Sequence, residues 1–182
     1  MSHDPAKFLD IAWQAADAAG ELIRAQWEQP RSIDYKGAID LFTPVDRDAE
    51  RLIVEILQSE FPGHSILAEE ETRIACASDE YRWIIDPLDG TTNFAHGYPQ
   101  VSVSIALEFH ERIILGLVYD PLRRGCFRAI KNHGATLNGV PIDPGYTLKV
   151  TFRMTDPDTG ASADFVKAYR SAMKANEAKD KT

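Results

Sequence analysis

Residues 83–94 read WIIDPLDGTTNF, an apolar segment that runs into two aspartates, a glycine and two threonines. The β-branched residues before the first aspartate favour a strand, and the proline fixes its own backbone torsion. Gly90 then permits a tight bend. The pattern predicts that Asp86 and Asp89 lie together at one end of a strand, immediately before a helix start.

These residue types suit a particular chemistry. Hard divalent cations such as Mg²⁺ prefer oxygen ligands, and they usually take one or two carboxylates together with phosphate oxygens. Asp86 and Asp89 supply carboxylates, and the backbone carbonyl of Leu88 between them is expected to face outward as a third oxygen. The backbone amides of residues 90–92, at a helix start, would point at an anion. The segment therefore predicts metal binding beside phosphate binding.

Each acidic segment also has a simpler structural explanation. Asp-Pro and Asp-Gly are common turn dipeptides, and Thr91 or Thr92 would then only cap the next helix. The run Glu69–Glu71 follows the strand-like residues 65–68, and three adjacent glutamates usually form a solvated charged surface. Asp46 falls in the first turn of a predicted helix, where the helix dipole favours any carboxylate.

The distribution of charge favours the metal-binding interpretation. The chain has 182 residues and a formal net charge of −8. Residues 43–89 contain 12 acidic and 4 basic residues, whereas the rest of the chain contains 16 of each. Because clustered like charges destabilise a fold unless cations compensate them, this concentration indicates cation binding.

Taken in order, these motifs resemble those of the inositol monophosphatase family of magnesium-dependent phosphatases. The resemblance covers residues 5–142. It includes residues 134–139, which match a loop that follows a hairpin in the family. The matching positions are Lys36, Asp40-Leu41, Thr43, Asp46, Glu69-Glu70, the segment Asp86–Phe94, Gly134-Ala135 and Leu137-Asn138-Gly139.

The resemblance implies a role for each matched residue. Glu69, Asp86, the Leu88 carbonyl and Asp89 match the ligands of Mg²⁺, of which a complete site in the family holds two or three ions. Glu70 and Thr91 match residues that orient or activate the attacking water, Asp46 matches the carboxylate paired with that threonine, and Lys36 matches a residue near the site entrance. Gly90, Thr91 and Leu88 would contact the phosphate. The implied reaction is hydrolysis of a small phosphate monoester by in-line water attack without a covalent intermediate.

The chain departs from the family after Ile142. A Trp-Asp-x-Ala-Ala-Gly motif, whose aspartate completes a metal site and contacts the substrate hydroxyl, is missing, since the last tryptophan is Trp83. We therefore expect residues 1–142 to form the metal- and phosphate-binding domain and residues 143–182 to be a divergent extension. A catalytically impaired remnant that binds metal or a partner is one alternative function. Phosphatases of histidinol phosphate or adenosine 3′,5′-bisphosphate are others.

The periodicity of the apolar residues predicts an α+β fold. Residues 5–28 and a segment beginning at Pro44 carry apolar residues at helical spacing. Strands are expected at 65–70 and 81–86, followed by a meander in which apolar residues alternate on both sides of a turn at 109–112. Helices that precede such strands indicate helices layered on an antiparallel sheet. After residue 142, residues 146–152 alternate like a strand and residues 164–179 are helix-prone, so this extension is interpreted either as docked on the sheet or as a weakly ordered terminus.

Composition excludes several classes of protein. With 44% hydrophobic residues but no stretch of spanning length, the chain is not expected to cross a membrane. The acidic cluster would repel a nucleic acid. Two distant cysteines fit reduced thiols, and the start of the chain does not resemble a signal peptide, so a cytoplasmic location is expected. The expected partners are a small phosphorylated substrate and a second copy of the chain, since the family commonly forms homodimers and residues 94–98 are rich in aromatic side chains.

Overall fold

A computed structural model describes residues 4–29, 34–36, 40–70, 72–76, 80–142, 153–155 and 162–164. The helices in these ranges are α1 (Pro5–Trp27), α2 (Pro44–Glu60) and α3 (Thr91–Ala95). The strands are β1 (Asp34–Lys36), β2 (Asp40–Phe42), β3 (Ser65–Ala68), β4 (Arg73–Ile74), β5 (Tyr81–Asp89), β6 (Ser102–Phe109), β7 (Arg112–Asp120), β8 (Gly125–Ile130), β9 (Gly134–Leu137), β10 (Val140–Pro141), β11 (Arg153–Thr155) and β12 (Ser162–Asp164).

Helix α1 confirms the predicted first helix. It begins where the Asp4 carboxylate accepts a hydrogen bond from the Ala6 amide at 3.0 Å, with Pro5 in the first turn. The predicted apolar stripe is buried, as far as Ile23 near the end of the helix. At the same end, the Arg24 guanidinium donates to the Tyr119 hydroxyl at 2.8 Å, which fastens α1 to β7.

Helix α2 confirms the second predicted helix and the start signal at Thr43-Pro44. The Asp46 carboxylate accepts hydrogen bonds from the Thr43 amide at 2.9 Å and from the Thr43 hydroxyl. This is a capping box in which an aspartate replaces the usual glutamate. The buried face of α2 includes two acidic residues, Asp46 and Glu50, among its apolar side chains.

Eight strands form one sheet, in the order β10-β9-β8-β7-β6-β5-β3-β4. The predicted meander is present as β6 and β7, and the hairpin from β9 to β10 turns at Asn138 (φ 51°) and Gly139 (φ 81°). The sheet is mostly antiparallel, as expected, but β3 pairs parallel with β5. The reason is that β4 pairs with the outer side of β3, so the chain crosses back to the inner side before it forms β5.

Helices α1 and α2 pack against each other and against the centre of this sheet. Alternate residues of the central strands, such as Trp83, Ile85 and Ile105, join the helices in one hydrophobic core. This α+β layering is the predicted fold class. Within the described residues, no helix is long and apolar enough to cross a membrane.

The expected strand at 146–152 lies outside the described residues, as does the expected helix except for its first residue. Asp164 is instead the last residue of β12, which pairs with β11 in a separate two-stranded ladder. The predicted domain boundary at residue 142 stays a prediction.

Candidate active site

A bulge in β5 brings the two motif aspartates to one side of the sheet. In a regular strand, residues three apart point to opposite faces. Here Asp86 lies opposite Ser104 and Asp89 lies opposite Ser102, so three residue steps on β5 match two on β6. Pro87, which has no amide hydrogen to donate, lies within the bulge. Because directly opposite side chains share a face, both aspartates lie on the face of the two serines.

Parallel pairing of β3 with β5 brings Glu69 to Asp86. The carboxyl ends of these strands lie at the same edge of the sheet, and the Glu69 amide donates to the Ile85 carbonyl at 3.0 Å. The two carboxyl groups lie close enough that the charge of Glu69 contributes to raising the pKa of Asp86.

The acidic groups at this end of the strands have raised pKa values. Burial, followed by the charges of Glu69 and Asp89, raises the pKa of Asp86 well above the ordinary aspartate value. Burial of the carboxyl group also raises the pKa of Glu69 and that of Asp89, although each residue as a whole is exposed, and neighbouring carboxylates raise the pKa of Glu69 further. Asp86 Oδ1 is buried and has no hydrogen-bond partner among the described residues. These carboxyl groups are therefore suited to a cation.

The described residues contain no group of three or more acidic, histidine or cysteine side chains already spaced to hold a metal ion. The Asp89 carboxylate accepts from the Ser102 hydroxyl at 3.3 Å, so it has a protein partner on β6. The assignment of Glu69, Asp86, Asp89 and the Leu88 carbonyl as metal ligands stays a prediction.

Thr91 and Asp46 meet across 45 residues of chain. The Thr91 hydroxyl lies 2.9 Å from Asp46 Oδ1 and 3.1 Å from the Leu88 carbonyl oxygen, and it can donate to either. Asp46 is buried, and this burial raises its pKa, while hydrogen bonds from Thr43 and Thr91 lower it in part. A threonine hydroxyl that donates to a carboxylate keeps its own oxygen lone pairs directed elsewhere, so it can accept a hydrogen bond from another donor such as water.

Gly90 forms the turn between β5 and α3. Its φ is +89°, and a Cβ atom added there would lie 2.8 Å from the Gln100 carbonyl oxygen. Gly90 is also the N-cap of α3, so the prediction that Thr91 or Thr92 caps this helix is wrong. The left-handed turn is completed one residue earlier than expected, and this places both threonines in the first turn of the helix.

Sequence reasoning missed three polar residues beside the acidic groups. Ser102 contacts Asp89, and Ser104 lies opposite Asp86 with a fully buried hydroxyl that has no partner among the described residues. Glu50 accepts backbone hydrogen bonds from residues that follow β3. A signal for Glu50 existed in the sequence, since it lies one turn after Asp46 on the same face of α2.

Other predicted positions are next to the acidic groups in the chain or lie outside the described side chains. Glu70 follows Glu69, and its amide donates to Glu50. The Lys36 side chain and Glu71 are outside the described residues. His96 is exposed, and both cysteines are free thiols.

Comparisons with known proteins agree with the fold. The model of the inositol monophosphatase family matches residues 4–179. Inositol monophosphatase 3 of Solanum lycopersicum is 40% identical over 162 residues, which cover 87% of this chain and 60% of that protein. Inositol-1-monophosphatase of Synechocystis sp. is 46% identical over 144 residues, which cover 79% of this chain and 50% of that protein.

A solved structure gives the same result for the fold. The extragenic suppressor protein suhB from Bartonella henselae superposes with a TM-score of 0.72 at 35% identity, over 74% of this chain and 53% of that one. The chain thus spans half to three fifths of the length of these relatives. With a family match over nearly all of its residues and the same fold, the chain belongs to the inositol monophosphatase family.

Proposed function

We propose that this chain forms the metal- and phosphate-binding part of a magnesium-dependent phosphatase that hydrolyses inositol monophosphate or a similar small phosphate monoester. The observation that carries the proposal is the hydrogen bond from Thr91 to the buried Asp46, next to three carboxyl groups whose pKa values are raised. A solvated charged surface would give neither feature, since exposed carboxylates are not desolvated and need no buried hydroxyl partner.

The donor atoms fit Mg²⁺. Glu69, Asp86, Asp89 and the Leu88 carbonyl would hold the ions, of which the family implies two or three. The partnerless Asp86 Oδ1 supports this assignment, because a buried carboxylate oxygen is costly unless something compensates its charge. The Leu88 carbonyl has a second lone pair besides the one that faces Thr91. Bound Mg²⁺ would neutralise the carboxylates and polarise the phosphate ester.

The protein side chains would then position the reactants. Asp46 orients the Thr91 hydroxyl, and Thr91 together with Glu70 would orient the attacking water for in-line displacement. Gly90 and Thr91 would hold the phosphate at the start of α3, where Gly90 has a positive φ and a Cβ atom would meet the Gln100 carbonyl.

The substrate is proposed at the level of its chemistry. Inositol monophosphate heads the candidates because the relatives at 40% and 46% identity are named inositol monophosphatases. Histidinol phosphate and adenosine 3′,5′-bisphosphate are the competing substrates, and a panel of these esters assayed on the 182-residue chain ranks them. We further propose a cytoplasmic protein that forms homodimers.

The decisive assay measures phosphate release from inositol monophosphate with Mg²⁺ and, separately, with a chelator. We expect release only with Mg²⁺, and Asp86→Asn should lower kcat by more than about 100-fold, because it removes a ligand and not merely a neighbour of one. Glu55→Gln, an exposed substitution on α2, is the matched control. Release by Asp86→Asn near the wild-type rate would refute the assignment of this residue. Magnesium binding without release would favour the non-catalytic binding protein.

A further inference from the structure

Glu50 is a buried charged residue that the proposed mechanism does not use. It is only 3% exposed on the inner face of α2. Its Oε2 accepts from the Glu70 amide and its Oε1 from the Thr72 amide, both at 2.8 Å. A buried carboxylate is tolerated where hydrogen bonds replace its hydration, and two backbone donors at short distance supply them.

These hydrogen bonds hold the segment that carries the acidic side chains after β3. We call Glu69, Glu70 and Thr72 the acidic loop. The Glu69 amide is bound to Ile85 of β5, and the Thr72 carbonyl accepts from the Ala68 amide at 2.9 Å. With Glu50 bound to the two remaining amides, every described residue of the acidic loop has its backbone amide engaged. The loop is therefore fixed on one side by the sheet and on the other by α2.

The same helix also fixes the opposite side of the candidate site. Asp46, one turn before Glu50, holds the Thr91 hydroxyl at the start of α3. Residues at positions i and i+4 lie on one helix face about 6 Å apart. One turn of α2 thus sets the spacing between the loop that carries Glu70 and the helix that carries Thr91, which are the two residues proposed to orient the water.

We propose that Glu50 is a positioning residue that holds the acidic loop in register with Thr91, so that Glu69 and Glu70 face the bound cation and the water. The inference rests on the proposed function, because the loop carries one of its metal ligands. Glu50 itself contacts neither substrate nor metal. It acts through the backbone amides of Glu70 and Thr72.

The test compares Glu50→Gln with the wild-type chain and with Glu55→Gln, an exposed glutamate one turn further along α2. A glutamine keeps the size of the side chain but presents one donor group where the carboxylate presents a second acceptor, so one of the two hydrogen bonds is lost. Calorimetric titration with Mg²⁺ alone measures the affinity. Amide hydrogen exchange followed by NMR measures protection at Glu70 and Thr72.

We expect Glu50→Gln to bind Mg²⁺ about 10- to 100-fold more weakly, the usual effect of removing a group that orients a metal ligand. Exchange should accelerate at Glu70 and Thr72, while the amides of β6 and β7 keep their protection. Glu55→Gln should match wild type in both measurements. An unchanged Mg²⁺ affinity in Glu50→Gln would overturn the proposal.

A second variant separates positioning from folding. Glu50→Asp keeps the charge but shortens the side chain by one methylene, so it too should loosen the acidic loop and weaken Mg²⁺ binding. If both variants lose protection throughout the sheet, Glu50 serves only the stability of the fold and the positioning role is wrong. If wild type binds no Mg²⁺, the proposed function fails, and protection at Glu70 and Thr72 alone decides whether Glu50 holds the loop.

Discussion

Asp46 is a carboxylate held by hydroxyl and amide donors from two distant parts of the chain. It caps α2 through Thr43 and receives the Thr91 hydroxyl from α3. One residue thus has two tasks, since it begins a helix and also orients a side chain of the candidate active site. The first task was visible in the sequence as a start signal, and the second depends on the position of Thr91 in space.

Replacing Thr91 with valine tests this pair. Valine has nearly the same shape but no hydroxyl, so Asp46 loses a hydrogen bond that lowers its pKa, and the water loses its orienting group. We expect kcat to fall by about 100-fold or more, the lower range for loss of general acid–base assistance. Steady-state kinetics of phosphate release measures the effect.

Thr91→Ser is the matched control, because serine keeps the hydroxyl and should retain most of the turnover. A loss of turnover in the serine variant but not in the valine variant would show that the methyl group, and not the hydrogen bond to Asp46, is what matters.

At the scale of the elements, the turn between β5 and α3 depends on its backbone conformation. The bulge around Pro87 sets both aspartates on one face, and Gly90 then turns the chain in a left-handed conformation to begin α3. A five-residue helix has little intrinsic stability, so its position follows from this turn and from Phe94, which packs edge-on against Trp27 at 5.5 Å between ring centroids.

Gly90→Ala should therefore be costly. The left-handed conformation costs a residue with a Cβ atom about 1–2 kcal/mol, and the added atom would also approach the Gln100 carbonyl. We expect the free energy of unfolding to fall by at least about 1 kcal/mol, together with weaker Mg²⁺-dependent activity. Denaturant titration measures the stability.

Gly63→Ala provides the comparison, since Gly63 has no positive φ and no heavy atom within 4 Å of an added Cβ. Its stability should stay within about 0.5 kcal/mol of wild type. Equal destabilisation by the two substitutions would contradict the conformational argument for Gly90.

At the scale of the whole molecule, acidic groups from α2, from the residues after β3 and from β5 lie together at one end of these strands. Burial raises the pKa values of Asp46, Glu69, Asp86 and Asp89. A carboxyl group whose pKa is higher in the folded state contributes stability that is complete below its unfolded pKa and is lost as pH rises through its folded pKa. The metal-free protein therefore loses this contribution between the ordinary carboxyl range and the raised pKa values.

This linkage predicts how Mg²⁺ stabilises the chain. Protons and Mg²⁺ compete for the same carboxylates, so the rise in Tm on adding Mg²⁺ should be larger at about pH 7.5 than at about pH 5. Calorimetry with a chelator and with Mg²⁺ at both pH values measures it. Asp86→Asn should flatten the pH dependence in the chelator, and an equal rise in Tm at both pH values would contradict the prediction.

The proposed self-association also belongs to the scale of the whole molecule. The aromatic segment 94–98 was expected to form the contact, but Phe94 is only 1% exposed and belongs to the core, whereas Tyr98 is 59% exposed. If the chain dimerises through this segment, Tyr98 is the residue that contributes. Tyr98→Ser should weaken the dimer by about tenfold or more in Kd, as expected for loss of an aromatic interface residue.

Sedimentation velocity over a concentration series measures the dimer. Val140→Ser is the control, because Val140 is similarly exposed at 66% but lies on β10 at the far edge of the sheet. A monomeric wild-type chain, or equal effects of the two substitutions, would contradict the predicted contact.

The sequence alone determined the local structure and the chemical type of the acidic segment. Helical spacing and start signals set α1 and α2, alternation predicted the meander, and the run from Asp86 to Phe94 indicated the family. These features depend on residues that are close in sequence, so they can be predicted without knowledge of tertiary contacts.

Only the tertiary structure decided which groups meet. The parallel pairing of β3 with β5, the bulge that puts Asp86 and Asp89 on one face, and the contact of Glu50 with the acidic loop depend on residues distant in sequence. The contact of Asp46 with Thr91 was implied beforehand only by the family resemblance. The physical reason for these contacts is packing. Once α2 lies on the sheet, its polar side chains are buried and need hydrogen-bond partners. The groups that serve as partners are those at the strand ends that lie next to α2 in the folded protein.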